Sequence, residues 1–273
     1  MSETDLIKQL EETGNYRVIK KLEPQEFYNE DDGSDKKIAV FLDVETTGKD
    51  PEKDEIIELG MVAFEYNIDS GKIYRILEKF NELEEPTIEI SKEASEVNGI
   101  TMEMVKGHKI NDSKVEEFIS DTSLILSHNA QFDRQLSEKR FPFFIDKCWG
   151  CSMNDVSWQD QGYKIRALEF LAYKYGYFFE GHRATNDCLA SIHLLTKELP
   201  KSGNLVLEDL LLNARKKLYR VIPLGKTYGA KDDLKKREYK FNWNAKFWYI
   251  DLEKELVEQE HHWLKENYGL DAK

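Results

Sequence analysis

The stretch that most constrains this chain is residues 38–48, IAVFLDVETTG. Ile38 to Leu42 are apolar without a break, which reads as a strand buried on both faces. The run then gives way to Asp43-Val44-Glu45. Side chains on a strand alternate, so Asp43 and Glu45 share a face while Val44 points into packing. Two carboxylates side by side at the end of a buried strand repel each other and are costly to desolvate. A divalent cation is the usual remedy, and hard cations such as Mg²⁺ take oxygen ligands. Thr46-Thr47-Gly48 adds hydroxyls and backbone N–H groups at a turn, suited to gripping the end of a substrate. Alone, the fragment reads equally as a strand leaving into an acidic turn. Its meaning depends on partner carboxylates further along.

The surrounding pattern is strand-rich and then mixed. Residues 56–66 (IIELGMVAFEY) and 72–80 (KIYRILEKF) read as strands joined by the turn NIDSG, which makes an antiparallel meander beside the strand carrying Asp43. After Pro86 the chain turns helical, with Ser91 as a cap and Gly99 as a stop, and a second helix is expected over 112–120. Residues 123–129 (SLILSHN) form a strand that leads into a helix over 130–140. Further helices are expected over 164–176 and 186–199. The sum is an α/β mixed sheet with helices packed on it. LPKSGN (199–204) is the expected domain boundary, because it combines Pro, Gly, Ser and Asn.

Residues 1–36 are expected to be an acidic extension, mobile or loosely docked, without chemistry of its own. No apolar run approaches the roughly 18 residues of a membrane span, and the N-terminus lacks a signal-peptide core, so a cytoplasmic location and no membrane partner are expected. Cys148, Cys151 and Cys188 fit a reducing compartment. Cys148 and Cys151 form a CxxC, but neither a second pair nor a histidine at zinc spacing accompanies it.

The net charge of −13 argues against a protein that coats nucleic acid non-specifically. The charge is uneven, however. Residues 1–35 carry 4 basic and 10 acidic side chains, whereas residues 201–250 carry 12 basic and 5 acidic. A basic segment on an acidic protein is a candidate anion-binding surface.

Two partners for the acidic pair stand downstream. In SHNAQFD (127–133), Asp133 lies just past a strand end on the first turns of a helix, where strand ends and helix starts open into one crevice. By itself it is also an acid complementing a helix dipole. In GHRATND (181–187), Asp187 begins a helix and His182 precedes it by five residues. Five helical steps turn about 500°, so the two do not share a helix face. His182 is therefore expected on the loop before the helix, beside Gly181, with Asp187 in the first turn. That puts an imidazole able to take a proton from water next to a carboxylate. The fragment alone also reads as a surface histidine beside a capping acid.

In order, the chain reads D-x-E-T-T-G, then H-N-A-x-F-D, then H-R-A-x-x-D. Over residues 38–199 this resembles the DEDDh, or DnaQ-like, family of 3′→5′ exonucleases, whose fold is RNase H-like. The resemblance implies that Asp43, Glu45, Asp133 and Asp187 bind two divalent ions, Mg²⁺ or Mn²⁺, and that His182 is the general base. The family's tyrosine variant would place Tyr four residues before the last Asp; that position is Arg183 here. VNGIT (97–101) resembles the family's V-H-G-I-T segment, with Asn98 where His is frequent. Thr46, Thr47, Ile100 and Thr101 would line the pocket for the terminal nucleotide. His128, Asn129 and Phe132 match the second motif, Asn129 in a supporting role.

The implied function is hydrolysis of phosphodiester bonds at single-stranded 3′ ends, releasing nucleoside 5′-monophosphates. DNA is the favoured substrate, RNA the rival, and a polymerase or repair protein a partner class left open. A non-catalytic binding subunit is disfavoured, because every catalytic residue type is present.

Residues 205–273 are expected to form a small α+β domain of βαββα order, with a hairpin tip near Asn244 and Ala245. With Lys231, Lys235, Tyr239 and Phe241 followed by Trp248-Tyr249, it resembles an aromatic-rich domain behind some bacterial members of the family. Most of its rings are expected to be core, since a domain this small needs them. Aromatics interleaved with lysines can also hold single strands.

Overall fold

The computed structural model describes residues 2–216, 218–242 and 245–273. They fall into two compact units, Met1–Ala214 and Arg215–Lys273. The first is built on a five-stranded sheet of β1 (Lys37–Thr46), β2 (Ile56–Tyr66), β3 (Ile73–Leu83), β4 (Leu124–Ser127) and β5 (Trp149–Cys151). The order across the sheet is β3-β2-β1-β4-β5. β1, β2 and β3 pair antiparallel, and β4 and β5 join in parallel. The predicted meander is present: the strand expected over 56–66 has those bounds, and the one expected over 72–80 runs over Ile73–Leu83.

Alternation along β1 divides the interior into two cores. Ala39 and Phe41 pack on one face with Val62, Phe64 and the helices α4 (Leu168–Lys174), α5 (Ala184–Leu195) and α6 (Val206–Ala214). Val40, Leu42 and Val44 pack on the other with Met61 and Ala63, against α2 (Asp112–Phe118) and α3 (Ala130–Arg140). The short α1 (Lys92–Asn98) is capped by Ser91, whose side chain accepts from the N–H of Ala94. It stops at Gly99 in the left-handed region, φ 70°. Both caps are those expected from the sequence.

The structure corrects three expectations. The boundary does not lie at 199–204: α6 follows that turn, and Val206, Leu207, Leu210 and Leu211 belong to the first unit's core. The first unit therefore runs past residue 200, and the second begins at Arg215 rather than at 205. The N-terminal segment is not a separate extension throughout. Its helix Glu3–Glu12 has no buried residue, but Lys20 and Lys21 pair in parallel with Tyr177 and Phe178, and Leu22 and Tyr28 pack on the core. Finally, the helix expected over 164–176 begins only at Leu168. Arg166 is held out of it, its carbonyl accepting from His128 and its guanidinium donating to Asn154.

The second unit contains β6 (Leu218–Val221), α7 (Lys231–Lys236), β7 (Lys240–Asn242), β8 (Phe247–Glu253) and α8 (Lys254–Tyr268). Its main sheet runs β7-β8-β6, all antiparallel. A further two-residue pairing, Pro223–Leu224 with Asp271–Ala272, closes the chain end. Tyr239 and Trp248 are buried with Val221, Leu234 and Leu264, while Tyr228 is 92% exposed. Trp243 and the predicted tip at Asn244 lie outside the described residues.

Among the described residues no helix is long and apolar enough to cross a membrane.

Candidate active site

Three carboxylates meet where β1 ends. Asp43 and Glu45 project from β1, two residues apart, on the face that α5 covers; Asp187 comes from the first turn of α5. One ligand oxygen from each lies within 4.8 Å of the others, and all three side chains remain partly accessible. Asp133, in the first turn of α3, is 4% exposed. Its Oδ1 accepts from the backbone N–H of Val44 at 3.2 Å, which fixes it against the residue between the pair.

The parallel register of β4 on β1, with Ala39 opposite Leu124 and Phe41 opposite Leu126, brings the C-terminal ends of both strands to one edge of the sheet. Residues that follow those ends therefore share a crevice, although 90 positions separate Asp43 from Asp133. α5 reaches the same edge because Gly60, opposite Asp43 on β2, carries no side chain. A Cβ there would lie 2.6 Å from backbone atoms of Ala184 and Thr185.

Burial disfavours ionisation of every carboxyl in the cluster. Burial, and then its acidic neighbours, push the Asp43 carboxyl well above its ordinary value. Glu45 is pushed up to about 8 by the same two causes. Burial raises Asp133 to about 7 and Asp187 to about 6. Four acids that resist ionisation in one place match a hard divalent cation, which favours the charged form of each and takes oxygen donors. The donor set thus fits a hard divalent cation.

His182 stands on the loop before α5, as expected, in the left-handed region at φ 62°. Its side chain is half exposed, with Nε2 3.8 Å from Oε1 of Glu169. The N–H of the next residue, Arg183, donates to Oδ2 of Asp187 at 3.1 Å, so the loop and this carboxylate are tied directly. Burial raises the Asp187 carboxyl, and the Arg183 N–H, followed by the His182 imidazole, opposes that rise.

A cavity of about 500 Å³ adjoins Glu45, lined by Thr46, Gly48, Ser91, Ala94, Val97, Asn98 and Phe132 among others. Thr46 and Phe132 were expected there. The remaining expected contacts are placed differently. Ile100 is fully buried with Ile57 and Val105. Thr47 is 1% exposed, its Oγ1 donating to Asp54. His128 is locked between the carbonyl of Arg166, 2.7 Å from Nε2, and Ser152 Oγ, 2.9 Å from Nδ1. Burial pushes its pKa down to about 4, which keeps it neutral. It braces the β5 loop instead of facing the cavity. Asn129 is exposed as the cap residue of α3, and Thr101 is exposed before the short helix Met102–Val105.

Sequence reasoning missed Glu58. It lies on β2 opposite Glu45, 1% exposed, and its carboxylate binds the Arg183 guanidinium, with Nη2 2.9 Å from Oε1. The signal was a charge at the third position of a strand whose residues 56–64 are otherwise free of charge, since Glu is rarely fully buried unless paired.

Comparison with known proteins agrees with this geometry. The exonuclease family model of RNase T type matches residues 40–195. Over 96 residues, 34% of this chain and 6% of the relative, the chain is 42% identical to a PolC-type DNA polymerase III of Thermotoga petrophila. Over 167 residues, 59% of this chain and 79% of the relative, it is 27% identical to a DNA polymerase III subunit epsilon of Aquifex aeolicus. The chain thus spans only a small fraction of the PolC-type polymerase. E. coli exonuclease I, solved in complex with a 5cy-dA13 oligonucleotide, superposes with a TM-score of 0.50 at 19% identity, covering 71% of this chain and 49% of its own, and so shares the fold. With the family model covering more than half of its length and its mixed sheet of the RNase H-like kind, the chain belongs to the exonuclease family, in the DEDDh, DnaQ-like group.

Proposed function

We propose that this protein is a two-metal-dependent 3′→5′ exonuclease that hydrolyses the terminal phosphodiester bond of single-stranded DNA and releases nucleoside 5′-monophosphates. The observation that carries the reading is the convergence of Asp43, Glu45 and Asp187 within 4.8 Å, with Asp133 fastened to Val44 beside them.

Asp43, Glu45, Asp133 and Asp187 would hold the cations. When bound, these supply positive charge that lowers the pKa of water and neutralises charge on the phosphate and the departing oxygen. His182, on an accessible loop, would take the proton of the attacking water as its oxygen bonds to phosphorus and the bond from phosphorus to the 3′-oxygen breaks. Thr46 and Phe132 would grip the terminal nucleotide in the cavity beside Glu45. Relatives named as a PolC-type DNA polymerase III and a DNA polymerase III subunit epsilon support DNA over RNA. A net charge of −13 favours contact with few phosphates, so processivity should be low.

The test uses 5′-labelled single strands of DNA and RNA incubated with Mg²⁺, Mn²⁺ or EDTA, with wild type beside Asp43→Ala and His182→Ala. A metal-dependent ladder shortening from the 3′ end, absent in both variants, is the expected result. Intact strands under every condition would overturn the reading, and a faster RNA ladder would reassign the substrate.

A further inference from the structure

Glu58 is a carboxylate that stability alone does not explain. It is 1% exposed within a strand whose neighbours Ile56, Ile57, Leu59 and Met61 are all buried and apolar. A buried ion pair is commonly no better for stability than well-packed apolar groups of similar volume. Nor is Glu58 available to a cation. Oε1 accepts from Asn81 Nδ2 at 2.9 Å and Arg183 Nη2 at 2.9 Å; Oε2 accepts from Arg183 Nε at 3.3 Å and the backbone N–H of Ala184 at 3.2 Å. Four donors occupy what a carboxylate has to offer.

Two of those partners are the residues that immediately follow His182. Thr185 extends the grip, its hydroxyl donating to Asn81 Oδ1 at 2.6 Å. β2 and β3 therefore hold the first turn of α5 by side chains as well as by the close approach at Gly60. His182 itself is in a conformation uncommon for a residue with a Cβ, which persists where the surroundings over-determine it. Its own side chain is half exposed and does little to fix it.

We propose that Glu58 is a positioning residue: through Arg183 and Ala184 it fixes the turn at 181–183 and so the direction of the His182 imidazole. The catalytic half of this inference rests on the proposed exonuclease function.

The experiment compares wild type, Glu58→Gln, Arg183→Gln and His182→Ala, with Glu58→Gln and Arg183→Gln also made on His182→Ala. Arg183 is half exposed, so its variant reaches the same latch from the surface side and without replacing a buried residue. On single-stranded DNA at saturating Mg²⁺, each latch variant should lower kcat about tenfold to a hundredfold with KM nearly unchanged. On His182→Ala each should cost no more than about twofold, because residues acting as one unit are not additive. Equal losses in both backgrounds would overturn the proposal, as would an unchanged kcat. A higher Mg²⁺ requirement with full kcat at saturation would assign the latch to Asp187 and also overturn it.

Amide hydrogen exchange provides a readout without turnover. Residues 182–185 should exchange faster in both latch variants, while amides in the middle of β1 and β2 keep their protection. If wild type cleaves no strand, the exonuclease reading fails. The exchange pattern still decides the latch, because unchanged protection at 182–185 overturns it.

Discussion

Asp133 Oδ1 accepts from the backbone N–H of Val44 at 3.2 Å, so one member of the acidic cluster is fastened to the strand that carries two others. The bond fixes the geometry of Asp133 independently of its charge, because an amide oxygen accepts as well as a carboxylate oxygen.

Asp133→Asn should therefore fold normally while losing hydrolysis by about a hundredfold or more, the scale on which a charged active-site contact acts. Removing one of four mutually repelling acids should also hold or raise the melting temperature in EDTA and shrink the rise that Mg²⁺ produces. Thermal unfolding with and without Mg²⁺, beside the strand assay, checks both; a lower melting temperature in EDTA would count against the repulsion argument.

The pH dependence of the metal-free protein follows from the same cluster. Burial holds the carboxyls of Glu45 at about 8, Asp133 at about 7 and Asp187 at about 6. In the unfolded chain these groups titrate near 4. The folded state thus binds more protons between those limits, and its stability falls as pH rises from about 4 to about 8. A divalent cation favours the ionised forms and reverses the trend. In EDTA the melting temperature should drop from about pH 5 to about pH 8, and the increment from Mg²⁺ should grow. A rising EDTA curve would refute this.

His182→Asn separates backbone from imidazole. Asn tolerates the left-handed region better than most residues, so φ 62° should survive the change. Stability should stay within about 0.5 kcal/mol, as for surface substitutions generally. The catalytic rate should fall about a hundredfold to ten thousandfold, with KM little altered. Steady-state kinetics with chemical denaturation tests the pair of outcomes, and a large loss of stability would show the side chain to be structural.

Much of this architecture was legible because its signals are local. The apolar run into Asp43 and Glu45, the turn before β3, and the caps at Ser91 and Gly99 each depend on a few adjacent residues. What escaped depends on distant partners. Glu58 is explained by Arg183, 125 positions away, and Arg166 leaves its helix to meet His128 and Asn154. Ile100 and His128 sat in motifs that suggested a pocket, but packing and hydrogen bonds turned them inward. The turn at 199–204 looked like a boundary because Pro, Gly, Ser and Asn mark loops inside domains as readily as between them.

That last point makes a prediction about truncation. α6 contributes Val206, Leu207, Leu210 and Leu211 to the first unit's core, all of them buried. Each such side chain stabilises by about 1.5–3 kcal/mol when buried, and four together rival the roughly 5–15 kcal/mol that keeps a domain folded. A chain ending at residue 204 should therefore be insoluble or lack a cooperative unfolding transition. A chain ending at Ala214 should fold and keep its kcat on trinucleotides. If the basic second unit helps hold longer single strands, the chain ending at Ala214 should show a raised KM on 20-mers alone. Equal KM on both lengths would confine the second unit to other roles, and a well-folded 1–204 chain would contradict the place given to α6.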